Sequence, residues 1–402
     1  MATPNITADP IHAEPATTPS LLISLASLEH ETLTQVLANL AEAFPGQPLT
    51  VATPDTSASS SVDGIHLVGY TPAAPSTGSW TLAAADFLNA RQLLQEHNAS
   101  AVLILGAEAQ SLTPDALRSF ANCVLTHNVD LAVARYDLPP RAGLVNSAIL
   151  YPITRALFGT RPRFPLAIDL ALSRRAAERL ATAAQRFTAA NQPDALVWPV
   201  SEIAVAGQTI DEVEVGPRIL PAPTAADLNS LLAHVSGSLF AEVDAKAAFW
   251  QRARVAQPSP LGRPHTLPAA EPITPEEAHP MIESFRLAFG NLREIWSLVL
   301  PPQSLLGLKR LSESPETAFS MPDSLWARIV YDFVLAYRLR TINRGHLLGA
   351  LTPLYLAWVA SHLIQIGKNI DPNRHTEAVA AAFEADKPYL VSRWRWPDRF
   401  NP

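Results

Sequence analysis

The side chains able to do chemistry in this chain stand at the ends of apolar runs. "VLILGAEAQSLTP" (102–114) carries an apolar run into a short loop whose single acid is Glu108. One carboxylate can hold Mg²⁺ or Mn²⁺ together with substrate phosphates, because such ions often keep water and phosphate in the rest of their shell. The same residue also reads as a solvated loop acid. Asp169 lies between "FPLAI" and "LALSRR". It is the candidate catalytic residue, as partner of a substrate hydroxyl, or else a buried acid paired with an arginine. Arg161 and Arg163 flank Pro162 just upstream. Guanidinium forks suit phosphate or carboxylate recognition, and equally suit pairing with nearby acids. Ser27, Glu29 and His30 follow the first apolar run, where Glu29 also reads as an acid at the start of the next helix.

Other chemistries lose their support. The eleven histidines show no metal-ligand spacing, and the single Cys123, on the apolar side of an expected helix, excludes an intramolecular disulfide. Its thiol reads as buried and inert. There is no G-x-G-x-x-G, no G-x-x-x-x-G-K-[ST] and no G-x-S-x-G. A formal net charge of −7 with no Lys/Arg-rich stretch makes nucleic acid an unsuitable partner.

These residues need elements to hold them. Apolar runs at 20–26, 49–53, 64–70, 100–106 and 129–136 predict strands. Between them lie helices whose inward faces include Leu33, Val36, Leu37 and Leu40, then residues near 82–97, then Leu117, Phe120 and Val124 after a Thr113-Pro114-Asp115 start. This alternation predicts an α/β fold with a mainly parallel sheet, whose ligands bind beyond the carboxyl ends of the strands. Residues 251–280 form a proline-rich connector, and 281–402 a helical region. In that region Ile282, Phe285, Phe289, Leu292, Trp296 and Val299 share one face, and a second helix covers 324–342. The tail "SRWRWPDRF" reads mainly as packing back on its own domain. The Ala/Thr/Pro-rich residues 1–19 read as a disordered tail without a secretory signal.

Read together, "LILGAEAQSLTPDALRSF", the stretch from "DLAVARYDLPP" to "LALSRRAAERL", and "EVEVGPRILP" resemble the GT-A glycosyltransferases of the family-2 type. They are similar also to the retaining glucosyl-3-phosphoglycerate and mannosylglycerate synthases. The resemblance covers residues 20–250 and is densest at 136–175. It implies a GT-A nucleotide-sugar domain with a helical C-terminal part, a nucleoside-diphosphate-sugar partner, and Mg²⁺ or Mn²⁺ held only together with the nucleotide diphosphate. The cation's task would be to stabilise the charge growing on the leaving diphosphate. It also implies substrate-binding roles for Ser27, Glu29, Glu108, Arg161 and Arg163, with Glu108 as the metal acid.

The chain departs from that pattern at each decisive point. The Asp-x-Asp position reads Gly106-Ala107-Glu108. The Leu-Gly-x-Lys-x-His run reads Val215-Gly216-Pro217-Arg218-Ile219-Leu220, with leucine where the family has its histidine. The acceptor loop's glycine pair is Ala167-Ile168, and the acidic position before Trp198 holds Leu196. Two functions therefore stand side by side: a transferase with weakened or absent metal dependence, and a catalytically silent binding or scaffold protein of the same fold. A membrane-surface accessory role is a distant third. The apolar stretch 347–367 predicts a helix beginning at Pro353, about 22 Å long, and so a buried element shorter than a membrane span. The expected setting is the cytoplasm, with the helical region as the surface for any homo-oligomer.

Overall fold

A computed structural model of the chain describes residues 20–55, 62–72, 80–221, 227–253, 275–368 and 370–397. The tail 1–19 and most of the expected connector lie outside the described residues. Strands β1 (Leu21–Leu25), β2 (Leu49–Thr53), β3 (Ile65–Gly69), β4 (Ala101–Leu105), β5 (Leu131–Asp137), β6 (Asp169–Ser173) and β7 (Ile210–Pro217) form one sheet. Its order is β3-β2-β1-β4-β6-β5-β7. Strand β6 runs antiparallel to β4 and β5, and the other neighbours are parallel. The five apolar runs each became a strand. Strands β6 and β7 lie outside those runs: β6 is short and opens on an acid, and β7 alternates acids with aliphatics at the sheet's edge.

Helices cover both faces, as they must when most strands are apolar on both sides. Helices α1 (His30–Ala43) and α3 (Pro114–Leu125) bury Leu37, Leu40, Leu117 and Phe120 against Ile23, Leu103 and Ala132. Cys123 belongs to this layer, and burial pushes its thiol up to about 12. Thr113 caps α3, its hydroxyl accepting from Ala116 N at 3.2 Å. Helices α2 (Ala84–Glu96), α4 (Tyr151–Phe158) and α5 (Arg174–Ala189) follow in the chain. Of these, α2 and α5 cover the opposite face through Phe87, Leu93 and Leu180.

Helices α6 (Pro199–Val205), α7 (Leu228–Ala245), α8 (Ala247–Trp250), α9 (Pro275–Asn291), α10 (Arg293–Val299) and α11 (Pro302–Glu313) come next. Helices α12 (Asp323–Leu339), α13 (Arg344–Gly367) and α14 (Pro372–Arg395) complete the order. A third core joins Ile153 and Leu157 of α4 and Phe240 of α7 to Trp326, Trp358 and Phe383 of the helical region. The apolar burial thus runs across residue 250. Three expectations need correction. The helix through Ile282 and Trp296 is two helices broken at Leu292, and it begins at Pro275, inside the expected connector. The second helix ends at Leu339, because Arg340 adopts a left-handed φ of 54°. The apolar helix begins at Arg344, where Asn343 Oδ1 accepts from the Gly345 and His346 amides, so that cap, and not Thr352-Pro353, sets its start. Pro353 lies inside this helix, where it lacks the N–H of one ladder bond and its ring crowds the preceding turn. At 24 residues, α13 is by length and composition able to cross a membrane, and 78% of its apolar window is buried inside the protein.

Of the expected tail, Trp394 packs back on the protein while Trp396 is exposed, and residues 398–400 lie outside the described residues. Trp394 meets Trp250 at 5.0 Å between ring centroids, and Arg338 lies 4.1 Å over the Trp394 ring.

Candidate functional site

The loop Gly106–Ser111 leaves the carboxyl end of β4, beside the exposed Ser27 and Glu29 that follow β1. Ala26 N donates to Leu105 O at 3.1 Å, and Asn39 of α1 donates to the carbonyls of Gln110 and Leu112, which fixes this edge. Gly106 is required sterically, since a Cβ there would meet Ile168 O at 2.8 Å. Glu108 sits at φ 61°, and its carbonyl accepts from Ser111 N and Oγ. Its carboxylate accepts from Gln110 Nε2 at 2.7 Å.

Asp169 opens β6 directly across from Leu105, with its side chain fully enclosed. Four donors surround the carboxylate. Oδ1 accepts from Gly106 N at 3.1 Å and Arg218 Nη2 at 3.0 Å, and Oδ2 from Tyr136 Oη and Arg218 Nε, both at 2.9 Å. Arg218 also donates from Nη2 to Ala107 O at 2.7 Å. From Nη1 it donates to Glu108 O, to Ser111 Oγ at 3.0 Å and to Ile219 O at 2.9 Å. Its guanidinium therefore stitches the loop to the acid with every edge used. Burial works against its charge, but Asp169 offsets that and holds its pKa above the ordinary value. Burial, with Asp169 adding to it, pushes the Tyr136 hydroxyl far up, so it stays a neutral donor.

Local backbone geometry builds this triad. Between β5 and β7 the register slips, so that Arg135 faces Glu214 while Tyr136 faces Gly216. The extra residue, Val215, turns into the core, and Gly216 takes φ 73°. Such a bulge bends a strand and re-aims its side chains. Here it delivers Arg218 past the strand end onto Asp169. Leu220, at the position the resemblance gives to a histidine, packs against the core of the α1/α3 face.

The other candidates divide. Glu108 and Asp169 share one cluster through Arg218. Arg163 lies close by, since Phe164 packs edge-on against Tyr136 at 5.1 Å. Its guanidinium, however, pairs with Glu377 at 2.7 Å and lies over the Tyr151 ring at 5.2 Å. Glu377 and Glu384 also bind Arg155, so this group ties α4 and the loop after it to α14. Arg161 is partly buried and has partners of its own. The cavity between Tyr136, Arg163, Phe164, Asn146 and Asn373 measures about 70 Å³, too small for a nucleoside diphosphate. Glu29 stands at the N-terminus of α1 without a capping hydrogen bond from its side chain.

A divalent cation does not fit these residues. The space between Asp169 and the Glu108 loop is filled by a guanidinium, and Asp169's lone pairs are taken. Among the described residues, no three His, Cys, Asp or Glu side chains come together as a metal site. Sequence reasoning passed over Arg218 and Tyr136. Arg218 was visible only as the basic residue of "VGPRIL", with nothing local to mark its partner 49 residues upstream.

No family model matches the sequence, and comparison with curated proteins gives no match either. Among solved structures, glucosyl-3-phosphoglycerate synthase from Mycobacterium tuberculosis, in complex with Mn²⁺, UDP-glucose and phosphoglyceric acid, aligns at 16% identity with a TM-score of 0.35. That alignment covers 56% of this chain and 79% of the other. A mycobacterial protein gives 16% identity and a TM-score of 0.36 over 56% and 74%. CMP:2-keto-3-deoxy-manno-octonic acid synthetase complexed with CTP gives 11% and 0.30 over 50% and 91%. The chain is α/β, a seven-stranded, mostly parallel sheet followed by a helical region.

Proposed function

We propose that this chain is a catalytically silent, glycosyltransferase-like protein that binds a nucleoside-diphosphate sugar without a divalent cation. The observation that carries this is Arg218. An arginine has entered the gap between the acid and the loop where the resemblance would put a metal, and it is consumed there by Asp169 and three backbone carbonyls. A charge so enclosed cannot be offered to a leaving diphosphate, and an Asp169 so satisfied cannot take a proton from an acceptor hydroxyl. The binding half of the reading rests on the sheet. Ligands of such sheets sit outside the carboxyl ends of the strands, where Ser27, Glu29 and the Glu108 loop lie. Fold alone does not carry activity across, so the site decides.

The test is a thermal-shift series with UDP, GDP, CDP and UDP-glucose, each with Mn²⁺ and with EDTA, beside an assay of sugar release. The expected outcome is stabilisation by one nucleotide, equal in both buffers, with no turnover. Stabilisation that needs Mn²⁺, or measurable sugar release, overturns the reading. So does the absence of any shift at millimolar nucleotide.

A further inference from the structure

The carboxyl ends of α10, α12 and α14 converge around one open cleft, which Leu298, Leu339, Arg393 and Pro397 all line. Three large apolar side chains are exposed at those ends: Leu298 at 59%, Leu339 at 48% and Trp396 at 61%. Among the described residues, Trp396 is the one exposed tryptophan. The same ends carry arginines. Arg338 lies over the Trp394 ring and pairs with Asp244 at 3.7 Å, and Arg393 pairs with Asp332. Arg340 follows Leu339, and Arg395 precedes Trp396. Arg395 Nε donates to Gln251 Oε1 at 3.1 Å, which brings Arg252 to this end as well. Arg252, Arg340 and Arg395 are exposed and form no ion pair among the described residues.

Three guanidinium charges thus face solvent at one end of a chain whose formal net charge is −7. Cations are favoured at helix carboxyl ends, which explains arginines here but not the leucines and the indole set among them. Together these groups suit the boundary of an anionic bilayer. The charges meet lipid phosphates, the aliphatic stems and leucines reach the acyl edge, and an indole rests among the headgroups. The cleft argues against a protein as occupant. Leu298 and Leu339 stand at an opening of about 540 Å³ and not on a flat face, so they offer a rigid partner no continuous surface to pack on. A fluid bilayer takes each apolar tip singly. We propose that this end of the helical region docks on anionic membrane surfaces. Trp396, Leu339 and Leu298 enter the headgroup layer, and Arg252, Arg340 and Arg395 face lipid phosphates.

Co-sedimentation of the full chain with vesicles tests this, using phosphatidylcholine alone and phosphatidylcholine with about a third phosphatidylglycerol. Binding is expected to be tighter on the anionic vesicles by about tenfold or more, and to fall by about fivefold or more when salt rises from about 0.1 M to about 0.5 M. Arg340→Glu combined with Arg395→Glu should weaken it by about tenfold or more. The melting temperature should not change, since both side chains are exposed. Brominated lipid should quench part of the tryptophan emission of the bound chain, and that part should vanish in Trp396→Phe. Equal binding to both vesicle types overturns the proposal, as does unaltered affinity in the double arginine variant or quenching that persists in Trp396→Phe. So does the absence of binding at about 1 mM lipid.

Discussion

At the scale of single residues, Arg218 and Asp169 are worth more as a pair than as reagents. Removing one member of a buried ion pair leaves an uncompensated charge, at a cost of about 3–5 kcal/mol. Arg218→Met should therefore lower stability by about that amount in urea unfolding, and Arg218→Met with Asp169→Leu should recover a large part of it. A loss under about 1 kcal/mol in the single variant would refute the enclosed geometry. Glu108 gives the opposite expectation. Its side chain bonds only Gln110, while its backbone is left-handed. Glu108→Gly should leave stability unchanged or raise it by up to about 1 kcal/mol, measured by the same unfolding curve. The two acids were legible in the sequence because acids ending apolar runs are conspicuous. Arg218 was not, because an arginine after Gly-Pro carries no local sign of which distant carboxylate it will meet.

At the scale of elements, the edge strand β7 holds a pH-sensitive group. Glu212 accepts from Arg163 N, and burial pushes its carboxyl up to about 7. An acid raised in the fold binds more protons there than in the unfolded chain between about pH 4.5 and 7. Its contribution to stability is thus greatest below that window and is lost as pH rises through it. Glu212→Gln should flatten the fall in melting temperature between pH 5 and 7 and leave the variant the more stable above pH 7, read by thermal unfolding across buffers. An unchanged pH profile would count against a buried Glu212. The parallel strands and their helices were readable from period and caps, since those signals are local. Strand β6 was not, for its reversal depends on pairing with β4 and β5 from elsewhere in the chain. Helix α13 was misread at its start because Thr-Pro imitates a cap, while the true cap, Asn343, precedes a Gly that looks like a loop.

At the scale of the whole molecule, the continuous core from α4 and α7 into the helical region bears on how the chain divides. A fragment of residues 20–250 would expose Ile153, Leu157, Leu239 and Phe240, which now meet the helical region. Expressed alone, it should aggregate or bind a hydrophobic dye, whereas the full chain should melt in one transition. A monodisperse fragment with a cooperative melt would show residue 250 to be a true boundary. The sequence placed the compositional boundary but had no means of showing that the apolar faces of α4 and α7 look toward helices and not toward the sheet. Helix α13 adds a constraint in time. It lies in the middle of that shared core, and α14, which supplies its histidine neighbour His375, is made only after it. A growing chain therefore carries about 36 Å of apolar helix that is not yet enclosed, a length a lipid bilayer would accept. What encloses it is packing on α7, α9 and α12, all of which precede it in the chain. The surfaces that bury α13 are therefore already synthesised when it emerges, and only α14 has still to follow.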